Sequence, residues 1–310
     1  MIIDTDPGVD DAVALMLAAA SPEVELLAIT TVFGNVDVGL TTVNALRLRA
    51  LAGPGHVPVA AGASRPLVYP HEQRADSRHG RDGLGGRADL LPEPAEPASS
   101  RGAIALMADL LRASPTPVTL VAIGPLTNIA LLLAAHPDVK PKIGRIVAMG
   151  GNLSSENVGD HTPPAEFNIH SDPEAARRVL VEEDVPTTLV PLDLTLRASV
   201  DGAWIDELSR AGPRCAALAG IVEQRLATSR ATGSDGVALH DPLVVLEAAL
   251  PGTLRTTPMP LEVVCDHGPA RGTMWTDTSR SPDGRTVQVA LDADLPAISA
   301  TILNRLRSLH

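Results

Sequence analysis

The first twelve residues, MIIDTDPGVDDA, carry four carboxylates, Asp4, Asp6, Asp10 and Asp11, within eight positions. Like charges this close repel, so a fold that gathers them needs a compensating partner. A divalent cation offsets that repulsion best. An all-oxygen donor set suits Ca²⁺ or Mg²⁺ rather than zinc, and no HExxH or paired Cys/His spacing offers a zinc site. Asp10 and Asp11 also fit the start of a helix, where they would cap free N–H groups and complement the dipole. Three distant stretches add polar residues in places unusual for structural ones. VAIGPLTNIA puts a glycine-proline turn directly after a strand, so a backbone carbonyl can face the same edge. AEFNIHSDPEAA places Glu166 and Asn168 on one side of an extended segment, ahead of a helix capped near Asp172 with Pro173 in its first turn. GVALHDPLVV sets His240 beside Asp241 before an apolar helix. Alone, Asp241 reads as a cap and His240 as a surface or core histidine.

These groups need elements that bring them together. MIID reads as a strand and VDDAVALMLAAA as a helix. ELLAITTVF, VPVAAG, PVTLVAIG, GRIVAMGG and VPTTLVPL read as further strands. TTVNALRLRALAG, closed by Gly53, and LTNIALLLAAH and DPEAARRVLVE read as helices between them. Strand–helix alternation predicts an α/β fold with a mostly parallel central sheet and helices on both faces, a Rossmann-like core. In such sheets ligands bind beyond the carboxyl ends of the strands, which is where the opening acids fall. Late strands in LEVV and TVQVAL suggest a small hairpin before a last helix, PAISATILNRLR. The polar, Gly/Pro-rich segment 63–100 and the segment 227–239 are too long for plain connections and predict lid loops. No linker divides the chain, so residues 1–310 are expected to form a single domain.

Composition narrows the chemistry. The net charge of −12 argues against nucleic acid and anionic membranes and favours a cationic or neutral small-molecule partner. The only lysines, Lys140 and Lys142, lie in a proline-containing connection, which disfavours Schiff-base or P-loop chemistry. With Phe33, Tyr69, Phe167, Trp204 and Trp275 as the only aromatics, a site of stacked rings is not expected. Two cysteines do not make a disulfide framework. No signal peptide or membrane-length apolar run is evident, so a soluble cytoplasmic protein is expected.

The ordered set DTDPGVDDA, AITTVFGN, GPLTNIA, AEFN…DPEAA and HDPL resembles the nucleoside hydrolases of the inosine–uridine-preferring family. The resemblance runs from residue 2 to about residue 250 and is expected to continue to the end. It implies the nucleoside hydrolase fold and Ca²⁺-dependent cleavage of the N-glycosidic bond of ribonucleosides to ribose and free base. It places Ca²⁺ on Asp6, Asp11, Asp241 and the carbonyl of Ile123, with Asp6 also the general base. Asp10, Asn35 and Asn168 match partners of the ribose hydroxyls and the water, with Asp10 and Asn35 counted among the catalytic residues. Glu166 matches a ligand of the 5′-hydroxyl and Asp4 an acid behind the site. His240 is the candidate acid for the leaving base, and His79, in RHGRDGLGG, matches a second histidine carried on a mobile loop. A homotetramer or homodimer is implied.

The sequence departs from the pattern in places. The family often has asparagine where this chain has Asp160, an acceptor near the expected 5′-hydroxyl. The 227–239 lid lacks an aromatic residue, leaving Thr228 and Arg230 as its polar candidates for substrate binding. His240, where purine-specific relatives carry tryptophan, points to the inosine/uridine or pyrimidine branch. The DGLGG run reads as a lid hinge rather than a phosphate cradle. Two other readings stay open: a Mg²⁺ phosphohydrolase with Asp4 as nucleophile, and a nucleoside or ribose binder without catalysis.

Overall fold

The computed structural model describes every residue except 54, 71–78, 155–158, 160, 161, 163, 232, 277–284 and 310. Its strands are β1 (Ile2–Thr5), β2 (Ala28–Thr31), β3 (Val59–Ala61), β4 (Val118–Ala122), β5 (Ile143–Met149), β6 (Thr187–Val190), β7 (Ser199–Val200), β8 (Val237–Ala238), β9 (Leu254–Met259), β10 (Leu261–Val263), β11 (Met274–Thr276) and β12 (Val287–Ala293). The helices are α1 (Val9–Ala19), α2 (Val38–Ala52), α3 (Ala103–Ala113), α4 (Thr127–Ala135), α5 (Phe167–Ser171), α6 (Pro173–Arg177), α7 (Leu192–Thr195), α8 (Gly202–Ser209), α9 (Pro213–Ala231), α10 (His240–Ala249) and α11 (Leu295–Leu306).

Eight strands form one sheet in the order β3-β2-β1-β4-β5-β6-β12-β9. All its pairings are parallel except β12 with β9 at one edge. The strands are apolar on both sides because both sides are covered. Ile3, Ile29, Val121 and Val147 join the core under α1, α9 and α10. Ile2, Ala28, Leu120 and Ile146 face the core under α3, α4 and α6. The chain moves outward from β1 to β3 and then returns to lay β4 on the other side of β1. The carboxyl ends of β1 and β4 therefore flank a topological switch point, where an open α/β sheet leaves a crevice.

The expected late hairpin is present with different partners. LEVV pairs as β10 with β11, while TVQVAL, as β12, enters the main sheet between β6 and β9. Val287 and Val289 bury on one face of β12 and Ala290 and Ala293 on the other, which suits an interior strand rather than a surface hairpin. The 227–239 segment is also less of a loop than its composition suggested. Helix α9 continues to Ala231, and Val237–Ala238 pair antiparallel with Ser199–Val200. The first helix breaker there is Gly233, at φ +90°, so the preceding Ala-Thr-Ser-Arg run stays helical. No helix among the described residues is long and apolar enough to cross a membrane.

Candidate active site

Strand β1 ends at Thr5 and delivers Asp6 to the switch point. Asp6 is 1% exposed. Its Oδ2 accepts the Asn35 backbone N–H at 2.8 Å, and the Asn35 side chain donates to the Asp6 carbonyl at 3.0 Å. Two glycines make room for this carboxylate. A Cβ on Gly34 would stand 2.0 Å from Asp6 Oδ2, and one on Gly124 would stand 2.6 Å from Oδ1. Glycine is required at both turns because any side chain would displace the acid.

Helices α1 and α10 pack against one another. Their first turns carry Asp10 and Asp11, and Asp241, with His240 opening α10. Asp10, Asp11 and Asp241 present carboxylate oxygens all within 4.8 Å of one another. Asp6 stands outside that trio. Asp11 is both cap and cluster member: its Oδ2 accepts the Gly8 N–H at 2.8 Å, and its Oδ1 accepts from the Thr5 hydroxyl. The helix dipoles partly offset this concentration of negative charge.

The offset is incomplete. Burial, then the neighbouring Asp11, pushes the Asp6 carboxyl well above its usual range. Burial, then Asp10 and Asp11, does the same to Asp241. Asp11 is pushed up to about 7, by burial first and Asp10 second. No Lys or Arg pairs with Asp6, Asp11 or Asp241 among the described residues. Buried acids in this state bind protons or a cation, and an all-oxygen set of this kind fits a hard divalent ion. The Ile123 carbonyl lies at the adjoining strand end. It accepts from Asn168 Nδ2 at 3.3 Å and retains a second lone pair.

Asp4 lies behind the site rather than in it. It is 1% exposed, accepts from Thr30 Oγ1 and from Asn128 Nδ2, and does not line the cleft. That removes the phosphohydrolase reading, which needs Asp4 to reach a substrate.

A cleft opens above these groups, lined by Asp6, Asp10, Asp11, Asn35, Ile123 and Asp241 at its base. Met149, Glu166, Phe167 and Asn168 also line it. Glu166 is the cap of α5, and Asn168 already lies inside that helix rather than in an extended segment. Its oxygens accept from the N–H groups of Asn168 at 2.7 Å, Ile169 at 3.0 Å and Gly151 at 2.9 Å. The sequence showed the polar pair but not that the helix begins between them.

Both histidines reach the cleft. His240 Nδ1 is 2.8 Å from Thr195 Oγ1 on α7. His79 Nδ1 accepts the Val9 N–H at 3.2 Å, at the N-terminus of α1. The loop carrying His79 is pinned at several points. Asp82 Oδ1 accepts from Leu84 and Gly86 N–H and its Oδ2 from Ala88 N–H, while Asn44 Nδ2 donates to the Asp82 carbonyl. The DGLGG run, expected as a hinge, is thus a turn wound around one carboxylate.

The first 300 residues match the family model described as inosine-uridine preferring nucleoside hydrolase. The chain belongs to that family. It is 43% identical over 248 residues to the pyrimidine-specific ribonucleoside hydrolase RihA of Salmonella arizonae, covering 79% of this chain and 78% of that one. The protein of the same name from Klebsiella pneumoniae gives the same identity and coverage. Among solved structures, a purine-preferring ribonucleoside hydrolase from Gardnerella vaginalis superposes with a TM-score of 0.92 at 31% identity, over 99% of this chain and 98% of that one. The reaction class is therefore hydrolysis of ribonucleosides.

In this nucleoside hydrolase the two polar candidates of the 227–239 segment do not reach the cleft. Thr228 bonds back to the Gln224 carbonyl at 3.1 Å, and Arg230 is exposed with Asp235 3.6 Å away. One helical turn earlier, Arg225 lines the cleft together with Val237 and Ala238. The sequence reading missed Arg225 because it lies inside a helix whose orientation toward the site is set by tertiary packing. Asp160 lies outside the described residues.

Proposed function

We propose that this cleft hydrolyses the N-glycosidic bond of ribonucleosides with Ca²⁺ as its metal. The observation that carries the reading is the convergence of buried carboxylates from the end of β1, α1 and α10, with no Lys or Arg partner among the described residues, on one cleft that His240 also lines. Asp11, Asp241 and the Ile123 carbonyl would hold the cation, with Asp6 or Asp10 completing its carboxylate shell. A bound divalent ion there would polarise an oxygen nucleophile and anchor vicinal hydroxyls.

The protein's own groups account for the rest. Asp6, with a raised proton affinity and fixed by Asn35, accepts the proton of the attacking water. Asp10, Asn35 and Asn168 bind the ribose hydroxyls, and Glu166 faces the 5′-hydroxyl side. The carboxylates stabilise the positive charge that develops on the sugar. His240, oriented by Thr195, donates to the leaving base, and His79 hydrogen-bonds the substrate from the other loop. The 43% identity to enzymes named pyrimidine-specific favours uridine and cytidine as substrates. The reading treats residues 1–310 as one domain, since strands from both ends of the chain share the main sheet, and its assembly as a homodimer or homotetramer in the cytoplasm.

The test is a reducing-sugar assay on uridine, cytidine, inosine, adenosine and their 2′-deoxy forms. Ribose release from at least one ribonucleoside, abolished by chelator and restored by Ca²⁺, is expected, with deoxynucleosides poor. Uridine binding without ribose release would instead make the protein a binder.

A further inference from the structure

The cleft is strongly acidic, yet one arginine lines it. Arg225 is the single Lys or Arg among the described residues that line it, against Asp6, Asp10, Asp11, Glu166 and Asp241. It is half-buried on α9, and its Nη1 donates to Oγ of Ser229, one turn on and 4% exposed, at 3.0 Å. That contact ties the side chain along the helix face beside β8, whose Val237 and Ala238 line the same wall. His240 follows β8 after Leu239 in the chain, so Arg225 belongs to the wall where the leaving base is expected rather than to the carboxylate floor.

A cation adds nothing to stabilising a positively charged sugar, and it would compete with a metal for the nearby carboxylates. It is useful where negative charge develops. When the bond from C1′ to the base nitrogen breaks, its electron pair leaves with the base, and in uracil or hypoxanthine that charge spreads onto the ring carbonyl oxygens. A guanidinium offers only donors, in a fixed fork, and so complements such an oxygen. Its hydrogen bond strengthens as the oxygen gains charge, which favours the transition state over the bound substrate.

We propose that Arg225 contacts the base and selects carbonyl-bearing nucleobases, donating to a ring carbonyl oxygen and stabilising the departing base. The proposal rests on the ribonucleoside hydrolase reading above. The test compares uridine with p-nitrophenyl β-D-ribofuranoside, whose leaving group has the ribose half but no base carbonyl. Full-length wild type, Arg225→Ala and Arg225→Lys would be measured with both, beside thermal melts. Arg225→Ala should lower kcat/KM for uridine about 10- to 100-fold, the range for losing a hydrogen bond to a charged group. The nitrophenyl riboside should change by less than about threefold, and that control also reports an intact fold. Arg225→Lys, keeping charge without the fork, should fall between. Equal losses on the two substrates would assign Arg225 a structural role and overturn the proposal, as would an unchanged rate on uridine. Wild type that releases ribose from neither substrate would overturn the ribonucleoside reading itself.

Discussion

Asp6, Asp11 and Asp241 sit at the ends of β1, α1 and α10, whereas His79 lies on a loop, Arg225 inside α9, and Val237–Ala238 in a two-stranded sheet apart from the main one. The floor acids are locked by backbone: Asn35 N–H on Asp6, Gly8 N–H on Asp11, and glycines 34 and 124 pressed against the Asp6 oxygens. The wall residues are met by side chains instead: Ser229 accepts from Arg225, and Thr195 lies against His240. A change in the floor alters strand ends that the whole sheet depends on. A change in the wall alters one helix face. On the proposed reading the floor holds the metal and the sugar while the wall meets the base, and experiments can test that separation from either side.

The largest effect is expected from Asp6→Ala, which should reduce turnover about 10³- to 10⁴-fold on every substrate, the upper part of the range for a general base. Retention of a tenth of the rate would remove Asp6 from that role. His240→Ala is expected to cost about 10²-fold on uridine but little on a nitrophenyl riboside, whose leaving group needs no proton. Equal losses on both would merge wall and floor. Gly34→Ala replaces no functional residue but drives a methyl into Asp6 Oδ2. Misplacement on that scale should lower kcat about 10²-fold, and a crystal structure of the variant should show the carboxylate rotated.

A thermal prediction follows from the raised proton affinities. Asp11 binds its proton up to about pH 7 in the folded chain, against 3.8 ordinarily. Between those values the native state holds a proton that the unfolded state has released. Cation-free stability should therefore fall as pH rises from about 4 to about 7. Ca²⁺ must displace that proton, so it should raise Tm by several degrees at pH 7.5 and by distinctly less at pH 5. An equal rise at both pH values would show that Asp11 is not involved. The smallest effect is expected at Thr228 and Arg230, which do not line the cleft. Alanine at either should leave kcat/KM for uridine within about twofold, and a tenfold loss would return the 227–239 segment to the substrate.

Much of the floor was legible in the sequence because it is local. Asp6, Asp10 and Asp11 lie within one strand–turn–helix, and the pattern of apolar strands and Ala/Leu-rich helices was enough to place that turn at the carboxyl edge of a parallel sheet. Asp241 and Ile123 were recoverable from distant motifs because each begins or ends an element at the same edge. The late strands were legible as strands but not in their pairing, since β12 chooses β6 and β9 over β10 through burial on both faces.

By itself the sequence determined the class of fold, the concentration of acid at the strand ends, and the family. Periodicity and short motifs act over a few residues, and these features are that short. Tertiary structure alone decided three things. Asp10, rather than Asp6, stands in the tight trio with Asp11 and Asp241. Glu166 caps a helix as it faces the cleft. Arg225 reaches the site while Thr228 and Arg230 do not. Each depends on how one element is rotated against another, and that rotation is set by the packing of the whole core rather than by residues near the site in the chain.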